Sequence, residues 1–94
     1  MKVIIMPDKP KGFASVQKTI EILLAFTEFN KEAGTSELSR SLGLHKSSVN
    51  RFLHVLKHYG LVQHNKKTKK YALGKSALDL GAAAKRYING QLIV

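Results

Sequence analysis

Four positions constrain this chain more than any others: Ser39, Gly43, Val49 and Phe52. A small residue at Ser39 lets a second helix cross close to the first. Gly43, four positions on, supplies the backbone freedom that a tight turn after a helix requires. Val49 and Phe52, six and nine positions past the glycine, are placed to anchor the following helix. Each position has its own steric reason, and all four are filled together. The segment therefore predicts two short helices joined by a tight corner, the helix-turn-helix arrangement.

Thr35 or Ser36 is the expected cap of the first helix of that pair, with Leu38 and Leu42 facing inward. Leu44 falls in the turn, and His45 or Lys46 opens the next helix, which runs to about Tyr59 before Gly60 ends it. Along it Val49, Phe52, Leu53 and Leu56 stand at i, i+3, i+4 and i+7, a buried stripe. Upstream, Ser15 reads as the cap of a helix reaching about Phe29, with Val16, Ile20, Leu23, Leu24 and Thr27 at helical spacing. Asn30 to Gly34 follows as a loop. Ile22, Phe26 and Phe29 make a second apolar stripe on the same helix, which reads equally as deep burial or as contact with another helix or subunit.

Downstream, Leu61–His64 and Lys70–Leu73 predict two strands around the turn Asn65-Lys66-Lys67-Thr68-Lys69, and Gly74 ends the second. Ser76 with Asp79 three residues on resembles a capping box, opening a last helix to roughly Ile88. The expected fold class is mainly α with a small β-hairpin: a winged helix-turn-helix with a three-helix core, a wing and a linker helix. Residues 1–12, with Pro7, Pro10 and Gly12, are expected as a flexible tail, 13–75 as the domain, and 76–94 as a linker or dimerisation helix and tail.

Charge names the class of partner. The net charge is +10, and five of the six acidic residues lie at or before Glu37. From Leu38 to Leu78 there is no Asp or Glu, while the same stretch holds nine Lys or Arg and all four histidines. An idle solvated face usually mixes signs, so this one predicts a polyanion. Stepping 100° per residue around the second helix of the pair, Ser47, Arg51, His54 and His58 point away from the buried stripe. Asn50 and Lys57 flank them on one side, Ser48 and Val55 on the other. In a DNA major groove Arg51 suits guanine O6 and N7, and Asn50 suits adenine N6 and N7. Lys46, Ser47 and Ser48 sit at the helix N-terminus, where hydroxyls and backbone N–H groups suit a phosphate. Thr35, Ser36 and Arg40 on the preceding helix complete the candidate set there. Lys66, Lys67, Lys69 and Lys70 are expected along the DNA backbone or minor groove, adding affinity and salt dependence rather than base information. Lysines also protect hairpin edges from aggregation.

Other functions are disfavoured. With no cysteine there is no disulfide, thiol chemistry or Cys-based zinc site, which fits a reducing cytoplasm. His54 and His58 have metal-ligand spacing, but no acid stands near them in sequence, so no metal or cofactor is expected. No carboxylate pair, phosphate loop or nucleophile elbow points to an enzyme. No apolar run approaches the ~18–20 residues of a membrane span. RNA binding is disfavoured because Phe52 reads as core and Tyr59 and Tyr71 as partly buried. The alternative reading is a winged-helix interaction module whose basic face meets an acidic protein.

Ser15-Val16-Gln17-Lys18-Thr19-Ile20-Glu21-Ile22-Leu23 resembles the first helix of the IclR-type transcription regulators. Thr35 to Leu44, with Lys46-Ser47-Ser48-Val49-Asn50-Arg51-Phe52-Leu53, resembles that family's helix-turn-helix. Tyr71-Ala72-Leu73-Gly74 and Leu78-Asp79-Leu80-Gly81 resemble its second wing strand and linker helix. The resemblance covers about Gly12 to Ala84. It implies a usually dimeric domain binding palindromic promoter sites on double-stranded DNA, as repressor or activator. A homodimer is expected through the first helix (Ile22, Phe26, Phe29) and the last. Family members also carry a larger C-terminal effector-binding domain that this sequence lacks, so a small-molecule effector is not expected of this chain alone.

Overall fold

The computed structural model describes residues 13–28 and 32–91. The expected tail at 1–12, Phe29, Asn30 and the last three residues lie outside the described residues. The elements follow in the order α1 (Ala14–Ala25), a 3₁₀ turn (Phe26–Glu28), α2 (Thr35–Leu42), α3 (Lys46–His58), β1 (Val62–Asn65), β2 (Lys70–Leu73) and α4 (Lys75–Gln91).

The core sits where α1, α2 and α3 meet. It is built from Ile22, Ala25, Phe26, Ala33, Leu38, Val49, Phe52, Leu53, Leu56 and Val62. The α3 stripe is therefore buried as its spacing requires. Of the two readings open for the second stripe of α1, deep burial is the one realised, and Leu23 of the first stripe also packs against the core. Ile22 and Phe26 are core, whereas Val16, Ile20 and Leu24 are 54%, 50% and 43% exposed. Two apolar stripes on one helix leave its rotation undetermined by periodicity. The stripe that turns inward carries the small Ala25, which allows α3 close approach. Ile22 and Phe26 are thus unavailable as a dimer surface.

Helix starts also differ from expectation. Ser15 is not the cap of α1: the Gln17 N–H donates to the Phe13 carbonyl at 3.1 Å, so the first turn closes from Phe13. The Ser15 carbonyl accepts from the Thr19 hydroxyl at 2.7 Å instead. Gly34, rather than Thr35 or Ser36, caps α2, and the Glu37 carboxylate three residues on accepts the Gly34 N–H at 2.8 Å. That is half of a capping box, the half a glycine allows.

The corner is closed twice. Gly43 takes φ +67°, the Leu44 N–H donates to the Ser39 carbonyl at 3.1 Å, and the Ser39 hydroxyl donates back to the Leu44 carbonyl. Ser39 thus contributes a hydrogen bond as well as small size. At the far end of α3, Gly60 (φ +75°) donates to the Lys57 carbonyl at 3.0 Å and Leu61 to the Leu56 carbonyl at 2.9 Å. This paired closure ends the helix and turns the chain into β1.

β1 and β2 pair antiparallel from Val62↔Leu73 to Asn65↔Lys70, so Asn65 belongs to the strand and Lys66–Lys69 form the turn. Ala33 adds a bridge on the other side of β2, exchanging hydrogen bonds with Tyr71 at 2.8 and 2.9 Å. Ser76 makes no capping box with Asp79. Its hydroxyl donates to the Tyr59 carbonyl at 2.7 Å and its N–H to the Gly60 carbonyl at 2.9 Å, pinning the start of α4 to the end of α3. Asp79 pairs with Lys75 at 2.9 Å. α4 continues past Ile88 to Gln91, and none of its described side chains is buried. Among the described residues, no helix is long and apolar enough to cross a membrane.

Gly74 holds the wing, α3 and α4 together. A Cβ there would lie 2.4 Å from the Gly60 carbonyl oxygen and 3.1 Å from the Val62 carbonyl carbon. Both are backbone atoms that cannot swing aside. Gly74→Ala is expected to cost about 1–3 kcal/mol through overpacking, read as a lower urea midpoint at unchanged slope.

Candidate nucleic-acid interface

Burying Val49, Phe52, Leu53 and Leu56 fixes the rotation of α3 and so fixes its opposite face. Lys46, Ser47, Asn50, Arg51, His54, Lys57 and His58 are exposed and Ser48 is half-buried. On α2, Thr35 and Ser36 are half-buried at its start and Arg40 is exposed near its end. Lys66, Lys67, Lys69 and Lys70 are exposed on the wing.

Four of these side chains are already engaged. The Thr35 hydroxyl donates to Asn50 Oδ1 at 2.8 Å, tying α2 to the outer face of α3 and restraining the amide. The Arg51 guanidinium lies 5.1 Å from the centre of the Phe52 ring, a cation–π contact beside the core. Lys70, in the last strand pair before the turn, stands 3.3 Å from Glu37. By contrast Lys66, Lys67 and Lys69 make no ion pair among the described residues.

Glu37 is held below the usual carboxylate range, first by the Gly34 N–H it accepts and then by Lys70. A carboxylate with a lowered folded pKa stabilises the fold above its ordinary value and loses that contribution as pH falls through the folded value. Glu37→Gln is therefore expected to lower the melting temperature modestly at neutral pH and to flatten its fall below about pH 4.5, where the wild type loses this contribution.

The wing is braced by residues that charge and periodicity do not single out. Asn65 Oδ1 accepts the N–H groups of Lys67 and Thr68 at 2.9 and 3.3 Å, and the Lys69 N–H donates to the Asn65 carbonyl at 2.7 Å. Glu32 reaches across from before α2. Its two oxygens accept from Asn65 Nδ2 and the Thr68 hydroxyl, each at 2.9 Å. Asn-x-x-Thr in a hairpin turn was the available signal for the local bonds; Glu32 had none.

Tyr59 departs from its expected partial burial. It is 67% exposed, with its ring edge-on to His58 at 4.9 Å, because α3 stops at His58 and the chain turns away at Gly60. Tyr71 is half-buried, against His64 at 4.6 Å. Among the described residues no group of three His, Cys, Asp or Glu side chains could hold a metal ion.

A tight two-helix corner, an outward polar helix face without an acid, and a lysine-tipped hairpin beside it define a winged helix-turn-helix DNA-binding domain. Residues 15–66 match the family model of the IclR helix-turn-helix domain, and the chain belongs to that family. It is 36% identical over 84 residues to the HTH-type transcriptional regulator KdgR of Dickeya chrysanthemi, covering 89% of this chain and 27% of that protein. KdgR of Escherichia coli strain K12 is 38% identical over 76 residues, covering 81% of this chain and 28% of the relative. The crystal structure of Pseudomonas aeruginosa HmgR superposes with a TM-score of 0.72 at 32% identity, over 77% of this chain and 30% of that one. The chain thus spans a little over a quarter of the length of the curated relatives it matches.

Proposed function

We propose that this domain binds a specific double-stranded DNA sequence to control transcription in the cytoplasm, with α3 in the major groove and the wing along the backbone. The observation that carries this reading is the outer face of α3. It is exposed over nearly its whole length and free of acids, and the wing that follows it carries three lysines without ion-pair partners among the described residues. Arg51 and Asn50 would read base edges; the Thr35 bond leaves the Asn50 amide nitrogen as the freer of its two polar atoms. Lys46, Ser47, Ser48, Ser36 and Arg40 would contact phosphates, as would Lys66, Lys67 and Lys69, with His54, Lys57 and His58 along the groove. Lys70, paired with Glu37, would contribute least of the wing lysines.

Two copies would read a palindromic site, with half-sites about 34–36 Å apart. The surface that supports this pairing is the outward stripe of α1 (Val16, Ile20, Leu24) together with the exposed Leu78, Leu80, Tyr87 and Ile88 of α4. Residues 13–75 would form the DNA-binding unit and 76–94 the connecting, pairing segment.

Arg51→Ala tests the reading directly. It is expected to cost about 1–3 kcal/mol on the selected site and to relax the preference at one base position. Competition gel shifts with unrelated duplex measure both. An equal loss on selected and unrelated DNA would remove Arg51 from base reading.

A further inference from the structure

The wing poses a physical problem. Two-stranded hairpins are marginal on their own. This one places Lys66, Lys67, Lys69 and Lys70 within five positions and holds Lys69 at φ +64°, a conformation unfavourable for a residue with a Cβ. Repulsion among the lysines and strain at Lys69 both favour an open, variable turn.

What opposes them is a chain of hydrogen bonds ending on one carboxylate. Asn65 Oδ1 gathers the Lys67 and Thr68 N–H groups, while Asn65 Nδ2 donates to Glu32 Oε2. The Thr68 hydroxyl donates to Glu32 Oε1 and accepts the Lys70 N–H at 3.2 Å. Ala33, the next residue after Glu32, is hydrogen-bonded to Tyr71 of β2 on both of its backbone groups, so Glu32 is delivered from a fixed point. Bonds to an ionised acceptor are about twice as strong as neutral ones. Glu32 spends its charge on the neutral amide and hydroxyl of the turn, and makes no ion pair with Lys66, Lys67 or Lys69 among the described residues.

We propose that Glu32 is a positioning residue for DNA binding: its carboxylate fixes the wing turn so that Lys66, Lys67 and Lys69 are presented together to the phosphate backbone. The inference rests on the DNA-binding reading above. It carries a sign that simple electrostatics does not. Removing an acid from a DNA-binding surface should tighten binding, since one repulsion with the phosphates is lost. Removing the brace should weaken it, because the lysines must then be ordered at the moment of contact.

The test measures affinity of the whole chain for a fluorescently labelled random-sequence duplex across a salt series, for Glu32→Ala, Glu32→Gln and Thr68→Val. Glu32→Ala is expected to weaken binding roughly three- to tenfold and to lower the salt slope by about one. Thr68→Val, which changes no charge, shifts affinity in the same direction, and Glu32→Gln, which keeps one acceptor, falls between wild type and Glu32→Ala. When Lys66, Lys67 and Lys69 are all alanine, Glu32→Ala has no cost or binds slightly tighter, because the brace then has nothing to present. Unchanged or tighter binding by Glu32→Ala in the wild-type background overturns the proposal. An equal loss in the lysine-free background does so too. If Glu32→Ala fails to fold, Thr68→Val decides alone: unchanged binding rejects the brace. Wild-type protein that ignores duplex altogether rejects the DNA-binding reading itself, a different result from any of these.

Discussion

Leu53→Ala is expected to destabilise the domain by about 2–5 kcal/mol, a large share of the ~5–15 kcal/mol that holds a domain together. Leu53 is fully buried at the centre of α3, among Ile22, Leu38, Val49 and Leu56. Deleting its branched end removes apolar contact on all sides at once, and the three helices cannot collapse inward without moving the corner at Gly43. Loss of DNA binding should follow loss of fold: at temperatures where the variant is still folded, its selectivity among duplexes should match wild type. Denaturant unfolding and gel shifts at two temperatures check this. A stable Leu53→Ala protein that has lost only selectivity would contradict the division of α3 into a buried and an outward face.

Replacing Lys66, Lys67 and Lys69 together by alanine is expected to lower the slope of log affinity against log salt by about 2.7, roughly 0.9 for each phosphate contact. At ~0.1 M salt that corresponds to a loss of roughly 10²–10³-fold, shared nearly equally by selected and unrelated duplexes. The three side chains are exposed and make no ion pair among the described residues, so stability should change little. Lys70→Ala should behave otherwise, with a smaller effect on the salt slope, because its ammonium lies 3.3 Å from Glu37.

Much of this architecture was legible in the sequence because α3 is amphipathic in only one way. Val49, Phe52, Leu53 and Leu56 form its apolar stripe, so burial of that stripe fixed which side chains face out. The glycines at 43 and 60 were legible for a similar reason, since positive φ at a helix end has few tenants. α1 offered two apolar stripes, and only tertiary packing selected Ile22 and Phe26 over Val16 and Ile20. Tyr59 followed the spacing of the buried stripe but lay one residue past the end of the helix, where that spacing no longer applies.

The least legible part was the wing's support. Glu32 meets Asn65 and Thr68 across 33 and 36 residues of sequence, and no local pattern announces such contacts. The single bridge at Ala33 has no periodicity to read. Acid-free composition pointed to the lysines of the wing, while one of the acids left outside that stretch holds their turn in place.

On the proposed reading, the outer face of α3 reads base sequence. Repeated selection of bound duplexes from a random library, followed by sequencing, tests it most directly. The expected result is enrichment of a defined motif with two inverted half-sites, and loss of preference at one position of each half-site when the selection is repeated with Arg51→Ala. Retention of duplexes without any enriched motif, at an affinity set by salt alone, would contradict it.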